Sequence, residues 1–392
     1  MTELAMLRRM TGRDPSEPHR ASTPLELLFD LCFVVAVSQA ATQLHHSLAA
    51  GHVGSGLLGY AIVFFAIWWA WVNFTWFASA YDTDDVPYRL LTLVQIAGVL
   101  VLAAGVPAAA EHEDFRTMVA GYVLMRVAMI GQWLRAASGH RAGRPAALRY
   151  AAGIGVVQVC WVARLAIPPG LWSNISFAVL ALAELAVPAW AEFGGSATSW
   201  HPGHINERYG LFTLIVLGEA VAAASTAVQS ALSDRGLSAP LLVLASGGLL
   251  LIFGMWWSYF KHEVTANLRR SLVATFLWAY GHYGIFAAVA ALGAGLEVAA
   301  DTLGHDDHVG SLAAGFMVAV PVAVFLLLGG WLHGWMSQRP GVRLEPLVLG
   351  TVLVLAAAFL AAASLPVAVL VMGLVVALVL AVNLWSMRRA LG

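Results

Sequence analysis

The chain has 392 residues, of which 60% are hydrophobic and only 11% charged, with a formal net charge of -1 and a mean hydropathy of +0.78. A soluble domain carries about 25% charged residues, so this composition excludes a water-soluble globular protein, a disordered chain and a disulfide scaffold, and makes lipid the solvent. The 21 basic residues are spread over short loops, which excludes a continuous nucleic-acid-binding face.

Residues 1–21 form a polar cytoplasmic segment that mixes Arg8, Arg9, Arg13 and Arg20 with Glu3, Asp14 and Glu17. No apolar core follows its basic residues directly, so it is not a cleaved signal peptide. A bilayer core of about 30 Å takes roughly 20 helical residues. At that window twelve apolar segments are predicted, at 25–49, 57–80, 88–109, 116–138, 146–166, 171–191, 205–229, 239–260, 269–297, 310–335, 345–364 and 366–387. Their runs are continuously apolar rather than alternating, which excludes a transmembrane barrel. The fold class is therefore all-α, a polytopic membrane helical bundle. With the N-terminus inside, seventeen Arg and Lys residues fall on the inner side, against Arg116, Arg164 and Arg235 outside. Both termini are accordingly expected on the cytoplasmic side. Cys32 and Cys160 lie in apolar runs and are expected to be buried, with no disulfide or metal role.

Self-comparison suggests a duplication, with one six-helix repeat in residues 22–200 and a second in 201–392. The first span opens at Glu26 and the seventh at Glu207, and each is followed one span later by an aromatic cluster, Trp68 to Trp76 and Met255 to Phe260. Six spans are an even number, so the halves would share one orientation, a 6+6 parallel repeat of the kind found in several transporters. An aromatic belt at a membrane face would also place tryptophans there.

An ionisable side chain at membrane depth costs about 2.5 to 3.5 kcal/mol even on the lenient insertion scale, so each one needs a partner, water or a use. Glu26 and Asp30 lie four apart on one face of span one. Glu207 and Arg208 open span seven, and Glu219 lies about 18 Å further along the same helix. Arg126 is central in span four one turn after Tyr122, Glu184 is deep in span six, and His282 is in span nine. Arg126 is expected to pair with Glu184 or with Glu219, which as structure lets both ions sit in hydrocarbon. Asp30 and Glu219 are expected at the interface between the halves, where substrate and coupling-ion sites form and a carboxylate can carry a proton.

His201, His204 and Glu207 have ligand spacing, but His201 precedes a Pro-Gly turn and no fourth ligand is evident. A capped helix start with Glu207 near its positive end is the preferred reading, with no metal. The acidic run Asp82, Asp84 and Asp85 is read as a solvated loop, with a cation-bridged lipid phosphate as the alternative. No Gly-rich phosphate loop, nucleophile elbow or helical His-Glu-x-x-His is present, and no cofactor is expected.

Taken together, Glu26-Leu-Leu-Phe-Asp-Leu-Cys-Phe-Val, the cluster Trp68 to Trp76, Asp82-Thr-Asp84-Asp85 with Arg89, Tyr122 with Arg126, His204-Ile-Asn-Glu-Arg-Tyr-Gly-Leu with Leu217-Gly-Glu219, and Gly281-His282-Tyr-Gly resemble the bacterial low temperature requirement A membrane proteins. The motifs span about residues 22 to 297. Cys32 stands where that family commonly has an aliphatic residue, and Ala220 where a serine is usual. The resemblance implies a bacterial inner-membrane protein and, being named for growth in the cold, implies no particular chemistry.

The leading expectation is a proton-linked transporter of a small solute or ion, not an enzyme, using Asp30 and Glu219 with Arg126 as charge partner. The second is an intramembrane enzyme acting on a lipid or apolar metabolite through His204, Glu207, Arg208, Asp82 and Asp84 at the cytoplasmic boundary. The third is a sensor or assembly protein whose polar groups specify packing. Membrane lipid and a small solute or proton are the expected partners.

Overall fold

The computed structural model describes residues 6–18, 20–193, 198–261, 268, 271–303, 309–337 and 345–391. The described residues contain thirteen α-helices and no strand: α1 (Pro24–Ala49), α2 (Val53–Tyr81), α3 (Val86–Ala104), α4 (Val106–His112), α5 (Arg116–Gly139), α6 (Arg144–Arg164), α7 (Leu171–Glu192), α8 (Pro202–Arg235), α9 (Ala239–Phe260), α10 (Leu272–Asp301), α11 (Ser311–Ser337), α12 (Glu345–Ala357) and α13 (Ala361–Leu391). The helix starts follow the local sequence. Asp85 accepts the Tyr88 amide at the head of α3, and Ser238 does the same for Leu241 at α9, each with a proline in the first turn.

Among the described residues eleven helical stretches are long and apolar enough to cross a membrane, α3 and α4 counting as one. The last of them, Glu345–Arg389, has 45 residues, about twice one crossing. Its backbone leaves the helix at Ser364 (φ -161°, ψ 106°), two residues before Pro366, which has no N–H to continue the ladder. The predicted boundary between the final two segments therefore lies inside one helical run, without a loop.

Two compact units are present. Unit 1 comprises residues 1–39 and 65–209, and unit 2 comprises 40–64 and 210–392, so α1, α2 and α8 each contribute to both. In unit 1, α3 packs along α5, α5 on α6 and α6 on α7. The α3–α5 approach is a backbone contact. A Cβ at Gly121 would stand 2.5 Å from the Leu102 nitrogen and 2.6 Å from the Gly98 carbonyl oxygen, so only glycine fits. In unit 2, α9 packs on α13, with Gly247 facing the Val369–Leu370 backbone, and α10 packs on α11.

Two sequence expectations change here, and one feature is new. Trp68, Trp69 and Trp71 are not a belt at a membrane face but lie fully buried in unit 1. The polar N-terminal segment, for which no packing was predicted, is docked: the Arg8 amide donates to Asp85, Arg9 Nε to the Gly139 carbonyl and the Arg13 amide to the Ala80 carbonyl. Cys160 lies on an exposed face of α6 and Cys32 is half-buried, so neither is a core residue.

Candidate functional site

The densest set of buried ionisable groups lies in unit 1, at the start of α1. Thr23-Pro-Leu-Glu26 is a capping box. The Glu26 amide faces Thr23 Oγ1 at 3.3 Å, and Glu26 Oε2 accepts the Thr23 amide at 2.7 Å. That fixes the Glu26 carboxylate against the first turn and leaves Oε1 turned to α8. There His204 Nε2 stands 3.2 Å away and Arg208 Nη1 3.3 Å away. One turn along α1, Asp30 Oδ1 accepts Arg208 Nη2 at 2.5 Å and the Trp71 indole N–H at 2.8 Å. Glu26 and Asp30 on α1 thus meet His204 and Arg208 on α8, two i,i+4 pairs facing each other. Neither pairing was predicted.

The network extends outward through Arg20, whose guanidinium donates to the Ser79 and Ala78 carbonyls at the end of α2 and lies 3.9 Å from Glu26 and 4.0 Å from Asp82. Arg13 reaches Asp82 at 3.7 Å and holds Glu17 through two hydrogen bonds. Burial raises the Asp82 carboxyl to about 6, with the Glu26 charge adding to it. Burial likewise lowers Arg20, and the hydrogen bond from Arg13 lowers Glu17.

The buried set holds three carboxylates (Glu26, Asp30 and Asp82), two guanidiniums (Arg20 and Arg208) and one imidazole (His204), with no side chain more than 6% exposed. It is neutral with one proton aboard. Several of its polar atoms also lack a hydrogen-bond partner: Asp30 Oδ2, His204 Nδ1 and Arg208 Nε, with the hydroxyl of Tyr88, which lies in electrostatic reach of Glu26, Asp82, Arg20 and Arg208. Buried groups of this kind are costly unless water or a ligand completes them.

A second buried ion pair of unit 1 joins Arg126 and Glu184. Arg126 Nη2 lies 3.2 Å from Glu184 Oε2 and donates to the Tyr122 hydroxyl at 2.9 Å, with the guanidinium over the Tyr122 ring. Glu184 also accepts the Trp69 indole at 2.8 Å and the Trp161 indole at 3.2 Å, so both of its oxygens are satisfied. Of the two partners expected for Arg126, the structure selects Glu184. This arrangement packs four helices around a fully satisfied Glu184 carboxylate. Arg126→Met is expected to destabilise by about 2 to 3 kcal/mol, less than a fully uncompensated charge, because two indole donors remain on Glu184. Thermal unfolding in detergent measures it, and a loss of solute flux at unchanged stability would contradict the packing role.

The other candidates separate. Asp30 falls in unit 1 and Glu219 in unit 2, each with its own neighbours. Glu219 is half-buried on α8 and in electrostatic reach of Glu297, which with Asp301 flanks His45. His282 is fully buried in unit 2. Its Nδ1 meets the Trp278 carbonyl at 2.7 Å, and its Nε2 meets the Tyr259 hydroxyl at 3.1 Å. His201, His204 and Glu207 diverge. His201 Nδ1 accepts the His204 amide and its Nε2 meets the Glu17 carbonyl, while Glu207 accepts the Ser22 amide. Among the described residues no three His, Cys, Asp or Glu side chains gather to hold a metal. The acidic run is not a solvated loop. Asp85 is buried and bonded to Arg135 at 2.7 Å, Asp82 faces Arg13 and Arg20, and only Asp84, paired with Arg89, is exposed. Of the set His204, Glu207, Arg208, Asp82 and Asp84 expected for an enzyme, His204, Arg208 and Asp82 fall in the one buried set, while Glu207 is held by the Ser22 amide and Asp84 by Arg89. Of the outer His305, Asp306, Asp307 and His308 run, all four residues lie outside the described ones.

The residues that sequence reasoning missed are Trp71, Arg20 and Arg13. The capping-box spelling at Thr23 to Glu26 was available as a signal for Glu26, but nothing local announces the arginines that face it.

A family profile described as Bacterial low temperature requirement A protein (LtrA) matches residues 21–383. Among curated proteins, "Uncharacterized protein RA0937" of Rhizobium meliloti (strain 1021) is 27% identical over 347 residues, which cover 83% of this chain and 79% of that one. The match over nearly the whole length shows that the chain belongs to the LtrA family of membrane proteins.

Proposed function

We propose that this LtrA-family membrane protein is a proton-linked transporter of a small solute or ion in the bacterial inner membrane, with both termini cytoplasmic. The Glu26, Asp30, His204 and Arg208 cluster of unit 1 is its proton-bearing site. The observation that carries the reading is the unmatched charge and unmatched hydrogen bonding of that cluster. One proton balances its ions, and Asp30 Oδ2, His204 Nδ1 and Arg208 Nε are buried with no protein partner. A purely structural network would be expected to satisfy its carboxylate oxygens, as the surroundings of Glu184 do. Here Asp30 Oδ2 and His204 Nδ1 have the chemistry to take a proton, and Arg208 Nε to donate to water or a small polar solute. Glu219 acts within unit 2 as a second proton-bearing carboxylate, and a 6+6 parallel duplication of the chain accords with the same class of protein.

The test is reconstitution into proteoliposomes loaded with a pH-sensitive dye, followed by a panel of amino acids, sugars and monovalent cations. A solute of the right class drives proton movement in the native protein. Asp30→Asn, which keeps the shape but removes the charge, is expected to lower that movement at least about tenfold, the scale on which a single transport carboxylate acts. Glu219→Gln is expected to lower it less. Undiminished proton movement in Asp30→Asn removes the cluster from the mechanism.

A further inference from the structure

Unit 2 contains a second polar site, separate from the transport reading and independent of it. A small cavity, with room for about one water molecule at 20 Å³, is lined by Ser258, Tyr259, Lys261, His333 and Asn383 among apolar neighbours from α9, α11, α12 and α13. Lys261, the first residue after α9, is the single lysine of the chain. It is half-buried, and among the described residues no carboxylate pairs with it. Among the described residues the lining therefore offers the Lys261 ammonium, the Ser258 hydroxyl and the Asn383 carboxamide with no carboxylate to answer them, the Tyr259 hydroxyl being held by His282. Burial lowers the Lys261 amine to about 8.

The surroundings identify where the missing anion comes from. Trp256 and Trp257 on α9, Trp331 and Trp335 on α11 and Trp385 on α13 are all exposed in unit 2. Trp331 and Trp335 stack at 5.7 Å, and Arg389 lies 3.6 Å from the Trp385 ring. Exposed tryptophans beside basic side chains at span ends mark the level of lipid headgroups. The cavity is too small for a whole headgroup. It has room for one oxygen atom.

We propose that this cavity is a phosphate-oxyanion site for an anionic phospholipid, which seats one phosphate oxygen between Ser258 and Asn383 and pairs its charge with Lys261.

Because no other lysine is present, amine acetylation followed by peptide mass spectrometry reads Lys261 directly in the intact protein. The protein is placed in nanodiscs of phosphatidylglycerol or of phosphatidylcholine, the latter with and without inorganic phosphate. An ion pair that raises the amine by roughly one pKa unit slows its acetylation below pH 8 about tenfold. Slowing in phosphatidylglycerol alone assigns the lipid as the source. Equal slowing by inorganic phosphate in phosphatidylcholine keeps the oxyanion site and assigns the free anion instead. Equal acetylation under all three conditions overturns the proposal. As a second measurement, native mass spectrometry after delipidation should show phosphatidylglycerol retained by Lys261→Arg and lost by Lys261→Gln. Retention by both overturns it equally.

Discussion

Arg208→Met is expected to destabilise the protein by about 3 to 5 kcal/mol, the cost of removing one member of a buried ion pair and leaving its partners charged in a low-dielectric interior. The effect is large because Arg208 answers two carboxylates at once, Glu26 at 3.3 Å and Asp30 at 2.5 Å, and all three side chains are within 2% of full burial. The combined variant Glu26→Gln, Asp30→Asn, Arg208→Met removes the stranded charges together with the cation, so it is expected to regain most of the loss. The difference between the two isolates the coupling among neighbours that simple addition would miss. Thermal unfolding of purified protein in one detergent compares them. A single variant as stable as the native protein, or a triple variant no better than the single, would contradict the account.

Gly121→Leu is expected to cost about 3 kcal/mol or more, at the upper end for overpacking, because what it meets is main chain. The new Cβ would lie 2.5 Å from the Leu102 nitrogen and 2.6 Å from the Gly98 oxygen, and neither can rotate aside as a side chain would. α3 and α5 must separate. Gly59→Leu is the control: nothing lies within 4 Å of its added Cβ, and that change is expected to stay within about 0.5 kcal/mol. Fluorescence size-exclusion profiles over a temperature series distinguish a lost helix contact from a silent substitution.

Much of the architecture was legible in the sequence because insertion into lipid is governed by a local quantity. A run of apolar residues about 20 long declares a span wherever it occurs, and the segments predicted from 25 to 335 each find a helix. The pairing of charges was less legible, since helical periodicity tells which residues share a face but not which helix that face meets. Arg126 with Glu184 could be narrowed to one of two partners because few ions lie at that depth. Asp30 with Arg208 could not, being 178 residues apart with several acids and arginines as competitors. The tryptophans misled for a related reason. An indole is enriched at membrane interfaces and is also a good buried donor, and Trp69 and Trp71 do the second, bonding Glu184 and Asp30. Asp82 and Asp85 looked solvated because their partners, Arg13, Arg20 and Arg135, lie in a polar leader and on another helix.

The distance along the chain between Asp30 and Arg208 also sets a timetable. At a bacterial ribosome's pace of about 5 to 20 residues per second, the 178 residues between them take roughly 10 to 35 s to synthesise. Throughout that interval α1 has left the ribosome with two acidic groups whose cation has not yet been made. Neutralisation by protons is the cheapest way for such groups to wait in hydrocarbon. The arrival of α8 then supplies a guanidinium in place of one of those protons, so maturation of the newborn protein is expected to end with an acid release.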